Sequence, residues 1–163
     1  MGTSEVIQGM REDIRDGNFN VAALVADQSS CDWAYSIGLS ASFGHPELLI
    51  VGMEASLAGM VVESLGRAVA GGLTIESGQA IEAADSLILE ACSVDPLWLG
   101  QGAWFDLGRE VMLGWGERWP ETLQLLWADA DGDIPSVPGD PTWLLRQPLL
   151  ASDVRESSAG QTL

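Results

Sequence analysis

The chain has 163 residues and sets 24 acidic residues against seven basic ones, for a net charge of −17. Every base is an arginine, so no stripe of cations exists to neutralise phosphates; nucleic acid is excluded as a partner and anionic membrane surfaces are disfavoured. The length and apolar content fit one domain, and no run of about 18 apolar residues is present to span a membrane.

In chain order, residues 1–17 are polar and acidic, with Val6, Met10 and Ile14 spaced for a short helix. No apolar run follows a basic start, so no signal peptide is expected and the cytoplasm is the expected location. Phe19, Val21, Ala23 and Val25 alternate along a first strand. After the turn-rich DQSSCD, WAYSIGL (Trp33 to Leu39) reads as a second strand. Pro46 to Met53 is a third, and its LLIVGM run is continuously apolar, which predicts burial on both faces. Leu57, Met60, Val61, Ser64, Leu65, Ala68 and Val69 then predict a helix with that ladder as its core stripe. Ser56 is its expected N-cap, and Gly71-Gly72 its stop.

Thr74 to Ala84 fits a hairpin or an edge strand, Leu87 to Val94 a strand, Asp106 to Gly114 a helix, and Thr122 to Ala128 a last strand. Prolines at 138, 141 and 148 rule out long regular elements after Pro135. The expected fold is one α+β domain over residues 1–151, a mixed or mostly antiparallel sheet packed by two or three helices, with a disordered tail over 152–163.

Three motifs recur in order: WAYSIGL, FGHPELLIVGM, and LQLLWADADGDIP followed by RQPLL. Together they resemble a bacterial family known as a domain of unknown function, DUF4262, over about residues 19–150. The resemblance implies an α+β fold. Some members sit in actinobacterial biosynthetic gene clusters, which implies a polyketide-like substrate. The chain departs from the family pattern at Ser36, where a threonine is usual, and at Ile134, where a phenylalanine is usual.

The single histidine, His45, lies between Gly44 and Pro46, and Pro46 pushes its backbone into an extended conformation. Glu47 follows two residues on, at the same-face spacing of a strand, where a carboxylate could fix the tautomer of the imidazole for acid–base work. The alternative is a ring that only hydrogen-bonds backbone across the turn. Tyr35 shares a strand face with Trp33 and offers a phenol to a substrate oxygen; the alternative is a packed core pair.

The expected catalytic set is thus His45, Glu47 and Tyr35, with Trp33, Trp104, Phe105, Arg109 and Trp127 as substrate-binding residues. Arg109 is read as an anchor for a ligand oxyanion, against the alternative of a surface cation–π contact. No cofactor is expected: no phosphate-cradling glycine loop occurs, and the absence of lysine rules out an internal Schiff base. A lone histidine and two separated cysteines, Cys31 and Cys92, point to no metal. In DADGD (Asp129 to Asp133) the calcium-loop register fails, leaving an Asp-Gly turn.

These residues point to a cofactor-independent enzyme acting on an apolar, polyketide-like small molecule by elimination, dehydration, conjugate addition or cyclisation. The alternative is a non-catalytic small-ligand-binding or accessory protein. A homodimer is left open.

Overall fold

The computed structural model describes residues 2–25, 31–83, 87–100, 104–112, 119–128 and 150. In chain order the elements are α1 (Thr3–Arg15), β1 (Asn20–Leu24), β2 (Trp33–Ile37), α2 (Leu39–Phe43), β3 (Glu47–Val51), α3 (Ala55–Ala70), β4 (Ala80–Ala83), β5 (Leu87–Ser93), α4 (Pro96–Gly100), α5 (Asp106–Val111) and β6 (Thr122–Trp127). The six strands form one open sheet in the order β1-β2-β3-β6-β5-β4. All neighbours are antiparallel except β3 and β6, which run parallel with Leu48 opposite Leu123. The sheet is mixed and the class is α+β, as expected; of the five helices, only α1 and α3 exceed eight residues. The expected tail and the DADGD turn lie outside the described residues.

The centre of the sheet follows from composition. All five residues of β3 are buried; for Leu48 to Val51 the apolar run requires this once the strand is paired on both edges and covered on both faces. Leu48 and Ile50 face a layer made by α3, with Ala34, Leu89, Ala91, Leu123 and Leu125 beside them. Leu49 and Val51 face the opposite layer, made by α1 and α5 with Tyr35, Phe105 and Trp119. Each fully buried leucine or isoleucine contributes roughly 1.5–3 kcal/mol.

Helix α3 forms where its periodicity predicts and buries Leu65 and Val69 of the expected ladder, but its inward face is shifted. Its buried side is Ala55, Ala58, Val62, Leu65, Gly66 and Val69, whereas Leu57 and Met60 are exposed by 49% and 67%. Small residues face inward because the helix lies close on the sheet: a Cβ on Gly66 would run into the Phe19 ring. The N-cap is Glu54 rather than Ser56; its carboxylate accepts from the Ser56 and Leu57 N–H groups at 3.0 and 3.1 Å. These bonds hold its pKa below the ordinary carboxylate value. Gly72, at φ +112°, ends the helix in the left-handed region, as the glycine pair predicts.

Helix α1 covers the other layer through Ile7, Met10 and Ile14, one stripe at helical spacing. Its Arg11 donates to the Val111 and Glu110 carbonyls at 3.1 and 2.8 Å, satisfying the C-terminal end of α5.

Candidate functional site

The FGHPE loop joins α2 to β3, and its polar side chains turn to backbone and to serine hydroxyls. Glu47 is fully buried at the start of β3 and faces the β2–α2 turn. That turn needs Gly38: φ is +112°, and a Cβ there would meet Ile14 Cγ1 at 2.8 Å. The turn aims five donors at the Glu47 carboxylate. Oε1 accepts from Ser36 Oγ at 2.6 Å and Leu39 N at 3.1 Å. Oε2 accepts from Gly38 N at 3.1 Å, Ser40 N at 3.2 Å and Ser40 Oγ at 3.0 Å. Burial pushes the carboxyl above its ordinary value, against the pull of the bonds from Ser36, Ser40 and Gly38. Ser36 Oγ also accepts from Leu48 N at 2.9 Å, so one hydroxyl ties β2 to β3 through the acid.

His45 is 6% exposed. The Ile75 N–H donates to Nε2 at 2.9 Å, and Nδ1 lies 2.8 Å from the Pro46 carbonyl, to which it donates. Both ring nitrogens therefore serve backbone, and the loop after α3 is stitched to the β3 entry. The carboxylate–imidazole pairing suggested by the i, i+2 spacing does not form, because Glu47 has five donors on another side.

The aromatic candidates do gather. Trp33 donates its Nε1–H to the Trp104 carbonyl at 3.0 Å, and the two indoles meet edge to face at 5.2 Å. Tyr35, Phe105 and Trp119 are at most 1% exposed. Tyr35 stands edge-on to both partners, while Phe105 and Trp119 stack 5.3 Å apart with 9° between planes. The Tyr35 oxygen accepts the Gly108 N–H at 2.9 Å, which leaves the hydroxyl hydrogen to donate. Burial raises the phenol well above its ordinary pKa, so it is a neutral donor. Gly108 permits this approach, since a Cβ there would run into the Trp119 ring and meet Tyr35 at 3.0 Å. Trp119 Nε1–H is buried and has no acceptor among the described residues.

Arg109 and Trp127 stand apart from that arrangement. Arg109 donates through Nη2 to the Leu99 carbonyl at 2.8 Å and the Trp98 carbonyl at 3.4 Å, and its Nη1 is 3.3 Å from Asp106. It closes the end of α4 instead of presenting its fork to a ligand oxyanion. Trp127 donates to the Val51 carbonyl at 3.0 Å and packs in the α3 layer, across the sheet from Trp104 and Phe105. Nothing local marks the Trp119 indole as the one left without a partner; Gly108 carries no sequence signal either, and Ser36 stands out only as a departure from the family pattern.

Among the described residues, no three or more histidine, cysteine, aspartate or glutamate side chains are grouped to hold a metal ion, and no helix is long and apolar enough to cross a membrane. Cys31 is half-buried with a thiol pKa raised by that burial, and Cys92 is buried. An open hollow of about 600 Å³ lies elsewhere, lined by residues including Asp13, Phe19, Asn20, Phe43, Glu63 and Arg67.

Neither the curated proteins nor the solved structures yield a match. The family model described as "Domain of unknown function (DUF4262)" matches residues 13–141. That span contains the β2–α2 turn, the Glu47 carboxylate it surrounds, His45 with its Ile75 partner, and Tyr35 with its aromatic neighbours. The chain belongs to the DUF4262 family.

Proposed function

We propose that this chain binds an apolar, polyketide-like small molecule carrying a carbonyl acceptor, held against Trp33, Trp104, Phe105 and Trp119, without turning it over. The observation that carries this reading is the Trp119 indole N–H, buried without an acceptor among the described residues. A buried unsatisfied donor costs about 1–3 kcal/mol, and an acceptor on a ligand offsets that cost. The surroundings favour an aromatic guest: half-buried Trp33, Trp98 and Trp104 pack against the cluster that holds Tyr35, Phe105 and Trp119. His45 and Glu47 then serve the loop and not the ligand.

A second reading, cofactor-free acid–base turnover of such a molecule, draws on Tyr35, whose neutral phenol still has a hydrogen to give. Tryptophan fluorescence titration with flavone, an apolar aromatic ketone, and with flavan, which lacks the carbonyl, tests the binding. Flavone is expected to bind several-fold more tightly than flavan, and Trp119→Phe to abolish the difference, since one neutral hydrogen bond is worth about 0.5–1.5 kcal/mol. Equal binding of both compounds to the wild type, or none, contradicts the proposal. A new product from flavone that Tyr35→Phe no longer forms favours the second reading.

A further inference from the structure

We propose that the open edge of β1 receives an extended segment of a basic partner protein as a seventh strand. β1 ends the sheet, pairing only with β2, and its main chain has no other main-chain partner among the described residues. Edge strands that stay single are normally guarded by charge, proline or a bulge. Asn20 to Val25, NVAALV, contains neither a proline nor a charge. The opposite edge differs: β4 is four residues long and displays Glu82 to solvent.

The surroundings of β1 suit an added strand with apolar side chains. α3 lies close over it, so that a Cβ on Gly59 would sit 3.3 Å from the Ala23 Cβ. On either side of Gly59 in sequence, Leu57 and Met60 are exposed by 49% and 67%, and Val25, just past the strand, by 79%. Isolated exposed apolar residues need no explanation, but these accompany an unguarded edge. At the Asn20 end the edge meets the hollow of about 600 Å³, whose walls carry Asp13 and the Glu63–Arg67 ion pair beside Phe19 and Phe43.

Charge selects the occupant. With 24 acids against seven bases, a second copy would bring another −17 to the same edge, whereas a cationic segment is drawn to it. Added strands gain affinity from main-chain hydrogen bonds and specificity from alternate side chains, which here fit an apolar–basic alternation.

The probe is an alternating valine–arginine octapeptide, with a valine–glutamate octapeptide as control. Hydrogen exchange should show new protection of the Asn20–Leu24 amides with the basic peptide only. Val25→Arg and Met60→Arg, both at exposed positions, should keep the wild-type melting temperature and weaken binding at least tenfold. No protection of β1 at millimolar peptide, protection confined to another element, or undiminished binding by both variants overturns the proposal. So does a chain that sediments alone as a dimer with β1 already protected, because the occupant is then a second copy.

Discussion

At the scale of single residues, two side chains with the right chemistry for catalysis are committed to structure, His45 to backbone and Glu47 to backbone and two serine hydroxyls. Replacing His45 by alanine leaves the buried Ile75 N–H without its acceptor and opens space beside it. The expected loss is about 2–4 kcal/mol of unfolding free energy, read by urea denaturation. Glu47→Gln puts an amide NH₂ among five converging donors, leaves part of that set without an acceptor, and should cost on the order of 3 kcal/mol. Its pH dependence has a definite sign. The folded-state pKa of Glu47 lies above the ordinary 4.5, so its contribution to stability is complete below that value and is lost as pH rises through the folded pKa. The stability gap between wild type and Glu47→Gln should therefore narrow as pH rises from 4.5, and a widening gap would contradict the assignment. The FGHPE motif carried one half of the His45 role, a ring that bonds backbone across the turn, as it does at the Pro46 carbonyl. Proline and glycine neighbours gave the loop-to-strand junction, but the donors to Glu47 depend on the left-handed turn at Gly38, and the other partner of His45 is 30 residues away.

At the scale of elements, long apolar runs were legible and short or close-packed pieces were not. β2, β3, β5 and β6 lie within the stretches that alternation and apolar runs predict. α2 and α4, five residues each, are too short to show a period. The face of α3 departs from its apolar ladder at the N-terminal half, where Leu57 and Met60 point outward while Ala55 and Ala58 turn inward. Close approach also governs α5. Gly108→Ala inserts a methyl between the α5 backbone, the Trp119 ring and Tyr35, and is expected to cost about 1–3 kcal/mol. Near-UV circular dichroism should report the disturbed aromatic cluster while far-UV ellipticity is preserved; an unchanged near-UV spectrum would mean that α5 yields instead.

At the scale of the whole molecule, the order of elements foretold the class of fold and composition the charge, and the sheet order came only from pairing: nothing local announces that β6 inserts beside β3. The charge of −17 on a chain of this size makes the compact state repel itself. Two ion pairs, Arg67–Glu63 and Arg109–Asp106, are found among the described residues, and both are partly or largely solvent-exposed, so they offset little of that repulsion. Sodium chloride should therefore raise the melting temperature from low ionic strength to about 0.5 M as screening shortens the range of the charges. A melting temperature that falls over that range would show that attractive pairs, not net repulsion, dominate.

The aromatic layer can be questioned through one proton. In a ¹H–¹⁵N spectrum, the Trp119 indole resonance, assigned by its absence in Trp119→Phe, should shift progressively and saturate as flavone is added, with little response to flavan. A resonance that holds its position while flavone saturates the protein would place the ligand somewhere else, and the Trp119 N–H would then be a donor buried for packing alone.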